Sequence, residues 1–245
     1  MPAQSVGTAC QPPAPIEKTE LRIKNYIGLT GPTGAGKTTA GRILESLGCA
    51  VIDCDALARE IVLPGSPVLA QLAARFGEDV ICKGGTLDRA LLAERAFADE
   101  TSRQDLNAIT HPAITSLAMQ RAKALLTSEN ALQSPKAVVF DAAALLESEL
   151  AALCGHILII TAPEEVRFQR ILARDGITAA AARRRIEAQR QVDYRPPPGT
   201  GHTVIDTTEG EGALRHEIEK TFRAMVGGSG DASGGAAPAA LPPGD

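Results

Sequence analysis

The chain has 245 residues, of which 44% are hydrophobic and 22% charged, and its formal net charge is −4. This size and composition fit one soluble globular domain with a sizeable core. The acidic balance and the seven aromatic residues, none of them tryptophan, argue against a basic, base-stacking surface for nucleic acid. No apolar run is long enough to cross a bilayer, so we expect a cytoplasmic protein without a membrane partner.

Glycine and proline concentrate at the two ends of the chain. Residues 1–15 and 227–245 together hold 7 of the 23 glycines and 7 of the 16 prolines. Segments of this composition bury too little apolar surface to offset the entropy of folding. We therefore predict disordered tails at 1–20 and 227–245 and one folded body over 21–226.

Short apolar runs bounded by turn signals predict the strands of this body. They are Tyr26–Thr30, Ala50–Asp53, Ala137–Asp141, His156–Thr161 and Thr203–Ile205. Helical patterns lie between them, including Thr38–Leu47 before Gly48 and a helix that begins after Pro163 and continues through Leu172. The alternation predicts an α/β fold in which helices cover both faces of a parallel sheet.

The interval between the second and third strands is too long for a simple crossover. It contains 83 residues, whereas a crossover between parallel strands needs about a dozen. It has no clear strand pattern and three helical ones, at Ser66–Phe76, Asp88–Phe97 and Ser102–Leu126. We predict a helical insertion over about 56–134 at the carboxyl edge of the sheet.

The strongest motif is Gly31-Pro32-Thr33-Gly34-Ala35-Gly36-Lys37-Thr38, between the first strand and the first helix. It matches the phosphate-binding P-loop in its required position. Glycines let backbone N–H groups face phosphate oxygens, and the following helix directs its positive end to the same point. Lys37 is expected to reach the β- and γ-phosphates of ATP, and Thr38 to bind Mg²⁺. The predicted ATP site comprises Gly31, Thr33, Gly34, Ala35, Gly36, Lys37, Thr38 and Thr39.

A P-loop alone does not distinguish kinases from GTPases or mechanical ATPases. The guanine-reading N-K-x-D motif is absent, and no predicted strand ends in adjacent Asp-Glu. With the long insertion, these absences favour phosphoryl transfer to an acceptor. Two alternatives stay open: a kinase that acts on another small molecule or nucleotide, and a nucleotide-binding protein without transfer activity.

Two carboxylates follow the second strand, at Asp53 and Asp55. Ligands of open α/β sheets bind beyond the carboxyl ends of the strands, beside the phosphate loop. If the strand continued, its alternation would direct both carboxylates to the same side, so that either could accept the proton of an acceptor hydroxyl. The competing interpretation is a helix cap. Asp53 or Asp141 is also expected to help hold Mg²⁺ through water.

Arginines concentrate late in the body. Residues 165–195 contain 8 of the chain's 18 arginines and carry a charge of +4, so the remainder of the chain carries −8. Guanidinium groups suit phosphoryl groups, and a mobile arginine-bearing lid over about 173–195 is predicted. Arg170 and Arg174, four residues apart on one helix, are candidates for one shared face. A solvated face with paired charges is the competing interpretation.

Further segments resemble the dephospho-CoA kinase family, which transfers the γ-phosphate of ATP to the ribose 3′-hydroxyl of dephospho-CoA. The resemblance extends from about Ile27 to Gly210. Its motifs beyond the P-loop are Asp53-x-Asp55-x-x-Ala58-Arg59-Glu60, Pro64-Gly65, Phe76-Gly77, Gly85-x-Leu87-Asp88-Arg89, His111-Pro112-x-Ile114 and Arg185-Ile186-x-x-Gln189. It implies a P-loop NTPase three-layer fold with a five-stranded parallel sheet, an acceptor-binding helical insertion and a lid.

The resemblance also implies roles for single residues. Asp55 would be the catalytic base and Lys37 and Arg170 the other catalytic residues, while Arg174 would join the ATP site. The acceptor would be contacted by Asp55, Arg89 and His111. ATP and Mg²⁺ are the implied cofactors and dephospho-CoA the implied acceptor, and we expect a monomer or weak oligomer.

Three segments depart from the family pattern, and one of them is Arg195–Gly201, where three consecutive prolines replace the expected helical spacer. The family's D-I-P-L-L-[FV]-E is present here as Asp141-Ala142-Ala143-Ala144-Leu145-Leu146-Glu147, without the proline. The asparagine of its D-N-x-G element has no clear match in Asp206–Gly210. Contacts to the substrates are therefore expected to differ there.

Overall fold

The computed structural model describes residues 26–127, 134–190 and 192–227. The strands are β1 (Tyr26–Thr30), β2 (Ala50–Asp53), β3 (Val138–Asp141), β4 (His156–Thr161) and β5 (Gly201–Asp206). The helices of these ranges are α1 (Lys37–Ser46), α2 (Cys54–Glu60), α3 (Pro67–Phe76), α4 (Arg89–Ala96), α5 (Glu100–Leu126), α6 (Leu150–Leu153), α7 (Glu164–Asp175), α8 (Ala179–Glu187) and α9 (Glu211–Gly227). Short 3₁₀ helices lie at Glu78–Val80 and Leu145–Glu147. Apart from Gly227, which ends α9, the predicted tails lie outside the described residues.

The five strands form one parallel sheet in the order β2-β3-β1-β4-β5, which confirms the predicted fold class. All five residues of β1 are buried, as expected for a central strand covered on both faces. Because β1 lies between β3 and β4, the P-loop that follows it emerges at the middle of the carboxyl edge. Asp141 ends β3 at the same edge, in register with Leu29 of β1 and Asp53 of β2.

Alternating side chains of the strands build a core on each face of the sheet. On one face Tyr26, Phe140 and Ile157 pack with buried residues of α2 and α5. On the other face Leu29 and Leu158 pack with α1 and α9. No helix in the described part of the chain has both the length and the hydropathy that a bilayer span requires.

The interval between β2 and β3 is helical, as predicted, and has an apolar cluster of its own. Leu72, Phe76, Val80 and Leu92 are buried together there. Among its described residues, strand-like pairing is limited to one isolated antiparallel bridge, Ile81–Leu87. The helices α3, α4 and α5 therefore form a small subdomain beside the sheet.

The structure decides between the two interpretations of Asp53. β2 does not continue past Asp53, because the Oδ1 atom of Asp53 accepts a hydrogen bond from the N–H of Ala56 at 2.8 Å and caps α2. The capping interpretation therefore holds for Asp53, and strand alternation does not direct Asp53 and Asp55 to one side. The helix after Pro163 continues through Leu172 to Asp175 and includes both Arg170 and Arg174, as predicted; Gly176 ends it in the left-handed conformation (φ 61°).

Gly31, at the end of β1, provides a test of the backbone packing that positions the P-loop. Its φ is +145°, and a Cβ atom built there would lie 2.0 Å from the carbonyl oxygen of Ile160. We expect Gly31→Ala to lower the free energy of unfolding by about 3 kcal/mol, because the β1–β4 backbone contact must open. In Gly212→Ala, the control in α9, the added carbon meets nothing within 4 Å, and we expect an increase of about 0.5–1 kcal/mol. Urea denaturation measures both, and equal midpoints would contradict the expectation.

Candidate active site

The P-loop presents the start of α1 to an anion. Gly36 precedes α1 with a φ of 105°; no described side chain caps the helix, and its first turn contains no acidic residue. The first N–H groups and the positive end of the helix dipole can therefore bind a phosphate. The loop is closed by the N–H of Ala35, which donates to the carbonyl of Pro32 at 3.1 Å. Gly34 lies against the backbone of Arg167, where a Cβ would be 2.8 Å from the carbonyl oxygen.

Lys37 and Asp141 form an ion pair at the edge of the sheet. The Lys37 Nζ lies 3.5 Å from the Asp141 Oδ1, and the two side chains are only 18% and 21% exposed. Within the described residues that oxygen is buried and has no hydrogen-bond partner beyond this long contact. Burial raises the pKa of Asp141, and Lys37 partly opposes the rise; Asp55 and Asp53 add to it. The carboxylates therefore lie close enough to interact through space.

The residues at this edge fit a magnesium ion. Mg²⁺ prefers hard oxygen ligands and usually takes one or two from protein, with phosphate and water completing the shell. The Oδ1 of Asp141, which has no hydrogen-bond partner beyond its long contact with Lys37, and the hydroxyl of the exposed residue Thr38 are such ligands. Asp53 fits less well, because one of its oxygens caps α2. The described ranges contain no group of three or more His, Cys, Asp or Glu that could hold a metal, so phosphate oxygens and water would complete the ligand shell.

A cavity of about 290 Å³ lies between α2, α5 and the other insertion helices. Asp55, Arg89 and His111, the three residues that the sequence predicts for the acceptor, all line it. Its remaining wall is mainly apolar, with Val62, Leu72, Leu87, Leu92, Leu106 and Ile114. Asp53 faces a different groove, against Arg121 of α5. Asp53 at the end of β2 and Asp55 in α2 therefore line different surfaces, and of these two residues only Asp55 lines this cavity.

Arg170 of α7 lies against the P-loop. Its guanidinium donates to the hydroxyl of Thr207 at 2.6 Å and to the carbonyl of Thr207 at 2.8 Å. The same group lies 3.5 and 3.4 Å from the carbonyl oxygens of Gly34 and Ala35. Arg170 is thus positioned beside the phosphate loop, and the contacts it makes here are with protein oxygens.

Arg174 has different partners from Arg170, although both lie on α7. Its guanidinium pairs with Asp175 at 2.6 Å, and Asp175 also binds Arg185 at 2.5 Å. The Arg174 side chain is 58% exposed. The structure therefore does not bring the two predicted arginines to one point, and their roles toward ATP stay predictions.

Two residues that contact the P-loop, Thr207 and Gln189, are not among the site residues predicted from the sequence. Thr207 is 3% exposed, and its hydroxyl donates to the carbonyl of Ala35 at 2.8 Å. Gln189 accepts a hydrogen bond from the N–H of Thr33. Gln189 could have been found, because it ends the Arg185-Ile186-x-x-Gln189 motif. Thr207 lies in the segment where the family pattern fails, so no local signal marked it.

Comparison with known proteins identifies the family. A family model described as dephospho-CoA kinase matches residues 25–200, which include the P-loop, the insertion and the α7–α8 hairpin. The chain belongs to the dephospho-CoA kinase family. A dephospho-CoA kinase of Syntrophotalea carbinolica is 44% identical over 169 residues, covering 69% of this chain and 78% of that protein. One of Geobacter sulfurreducens is 37% identical over 198 residues, covering 81% and 97%.

A solved structure shares the fold of this chain. The crystal structure of TT1252 from Thermus thermophilus superposes with a TM-score of 0.60 at 26% identity, covering 84% of this chain and 98% of that one. The family model and the curated relatives confirm the family resemblance found in the sequence motifs. Membership of a kinase family also implies the use of ATP as phosphoryl donor.

Two histidines of this dephospho-CoA kinase family member provide a pH test. Burial lowers the pKa of both His111 and His156 below the ordinary value of 6.5. Below about pH 6.5 the unfolded chain therefore binds more protons than the native one, so the free energy of unfolding falls as the pH is lowered. We expect a decrease between pH 7.5 and 5.5 that is shallower in His111→Gln. Urea denaturation across this range measures it, and identical slopes for the two proteins would contradict the expectation.

Proposed function

We propose that this chain transfers the γ-phosphate of ATP to the ribose 3′-hydroxyl of dephospho-CoA, giving coenzyme A and ADP, the last step of coenzyme A biosynthesis. One observation carries the proposal. Asp55, which lines the cavity beside α2 and α5, lies in the first turn of α2 just after Asp53, and Asp53 is in register with Asp141, which pairs with Lys37 of the P-loop. A phosphate site and a carboxylate-lined cavity therefore meet at one edge of the sheet.

In the proposed reaction the chain acts mainly by positioning and by electrostatic stabilisation. The backbone N–H groups of residues 34–38 bind the β-phosphate, and Lys37 neutralises the charge that develops during transfer. Thr38 and Asp141 would hold Mg²⁺, which neutralises phosphate oxygens when bound. Asp55 orients the acceptor hydroxyl and accepts its proton. The hydroxyl oxygen bonds to the γ-phosphorus, and the bond from phosphorus to the ADP oxygen breaks.

The flanking elements have roles in the same proposal. The insertion over about 56–134 binds the acceptor, with Arg89 and His111 as contact residues. The segment over about 173–195 closes over ATP as a lid and excludes water. Arg170 and Arg174 would approach the triphosphate from this side; the contact of Arg170 with the P-loop carbonyls supports the first assignment. We also propose that the protein is cytoplasmic and that it is a monomer or a weak oligomer.

An acceptor panel tests the substrate. The full chain is incubated with ATP and Mg²⁺ and, in separate reactions, dephospho-CoA, adenosine, AMP or shikimate, and products are detected by mass. We expect dephospho-CoA to be phosphorylated at least about 100-fold faster than the others, because a site built for one acceptor loses transition-state binding with another. Preference for a different acceptor would favour another small-molecule kinase. ATP binding without transfer to any acceptor would favour a non-catalytic protein.

A further inference from the structure

The hairpin of α7 and α8 contacts the P-loop at two places, one on α7 and one in the turn that follows α8. On α7, the backbone of Arg167 lies against Gly34. In the turn, the Oε1 of Gln189 accepts a hydrogen bond from the backbone N–H of Thr33 at 2.8 Å. Thr33 and Gln189 are 156 positions apart in the chain. The contact therefore joins the phosphate loop to the predicted lid directly.

The packing of α8 holds Gln189 at this point. Ile186, three residues earlier, is 2% exposed and packs with Phe168 and Ile171 of α7. On the other side of Gln189, Arg190 pairs with Glu164 at the start of α7 at 3.2 Å. The end of α8 is thus tied to α7 on both sides of the glutamine, so the hydrogen bond to Thr33 transmits the position of the whole hairpin.

The bond also occupies a backbone donor of the P-loop outside residues 34–38, the residues whose N–H groups are assigned to the β-phosphate. Pro32 has no N–H, so Thr33 carries the first donor after Gly31. When this donor is held by Gln189, the N–H groups from Gly34 onward stay directed to the phosphate side. A backbone N–H without an acceptor is costly in this partly buried position. If Gln189 were removed, the P-loop backbone would therefore shift until the Thr33 N–H reached water or another acceptor.

We propose that Gln189 is a positioning residue that couples closure of the α7–α8 hairpin to the shape of the P-loop. The proposal rests on the kinase function proposed above. While the bond is intact, the loop is ordered for ATP and the hairpin stays closed over it, which keeps water from the γ-phosphate. Without the bond, the hairpin opens more often, ATP binds more weakly, and water competes with the acceptor for the phosphoryl group.

The first experiment measures the contact itself, independently of catalysis. Gln189→Met keeps the length of the side chain and removes its acceptor oxygen. Without nucleotide, we expect hydrogen–deuterium exchange of the peptide that contains Thr33 to be about fivefold faster in this variant, as the loss of one hydrogen bond implies. Gln169→Met is the matched control, because Gln169 lies on the exposed side of α7 and bonds only to Glu165 among the described residues. Unchanged exchange in Gln189→Met would overturn the proposal.

The second experiment measures coupling. With ATP, Mg²⁺ and dephospho-CoA, we expect the ADP formed in excess of coenzyme A to rise about tenfold in Gln189→Met, with KM for ATP about fivefold higher and kcat for coenzyme A formation within twofold. Gln189→Ala should show the same pattern, and Gln169→Met should match the wild type. A residue with only a packing role would lower the melting temperature and leave this excess of ADP unchanged, which would overturn the proposal. If the wild type made no coenzyme A, the proposed function would fail, and the exchange experiment would still decide whether Gln189 orders the P-loop.

Discussion

Replacing Lys37 by methionine is expected to lower kcat/KM for phosphoryl transfer by about 10³-fold. Lys37 opens α1 at the end of the P-loop, where its ammonium group lies 3.5 Å from the carboxylate of Asp141. Both side chains are largely shielded from water, so a charge there acts on phosphate oxygens with little screening. Methionine fills similar space without the charge. Steady-state rates of coenzyme A formation measure the loss.

The fold should survive this change. Lys37 lowers the pKa of Asp141 against the effect of burial, so its removal lets that pKa rise further and the carboxyl can take up a proton. Lys83→Met, at an exposed position in the turn before α4, is the matched control and should stay within twofold of wild-type activity. Circular dichroism and urea denaturation verify folding. A folded Lys37→Met protein within tenfold of wild-type turnover would contradict the assignment of Lys37.

Asp55→Asn is expected to lower kcat by about 10²–10⁴-fold while ATP binds with unchanged affinity. A positioned general base contributes a factor of this size, and asparagine cannot accept the proton. Asp55 lines the cavity beside α2 and α5 and belongs to the first turn of α2, so it is not one of the P-loop residues assigned to ATP. The loss of a favourable charge at the start of the helix costs only about 0.3–1 kcal/mol. Calorimetric titration with ATP and the rate of coenzyme A formation provide the two readouts.

The neighbouring carboxylate is the control for this assignment. Asp53 caps α2, and asparagine is an equally good cap, so Asp53→Asn should preserve the helix. We expect its kcat to stay within tenfold of the wild type. If Asp53→Asn instead lost activity and Asp55→Asn kept it, the base would be Asp53. The pair of variants therefore separates two residues that the sequence pattern alone leaves equivalent.

The strongest sequence predictions were those that rest on local signals. The five residues of β1 form a continuous apolar run and are buried on both faces, and the P-loop follows in its required position. At the second strand, local signals do not decide whether the strand continues past Asp53 or a helix begins there. Aspartate after an apolar run is compatible with a longer strand or with a helix cap, and the hydrogen bond from Ala56 to Asp53 decides between them. The prediction that both aspartates share one side depended on the longer strand.

Contacts between distant segments could not be predicted from local patterns. Thr207 meets Arg170 across 37 positions and Ala35 across 172, which depends on how β5 and α7 lie relative to the P-loop. By contrast, Asp55, Arg89 and His111 were predicted together through the family resemblance, and they share one cavity. Spacing along the chain alone would not have grouped these three residues, because they belong to three different helices or helix starts.

The position of the transferred phosphate tests the central claim most directly. The full chain is incubated with ATP, Mg²⁺ and dephospho-CoA, and the product is examined by phosphorus NMR and tandem mass spectrometry. If Asp55 presents the ribose 3′-hydroxyl to an ATP held by the P-loop, the product is phosphorylated on that hydroxyl alone, with one ADP formed for each coenzyme A. A folded, ATP-binding protein that yields no phosphorylated product, or one phosphorylated at another position, would contradict the claim.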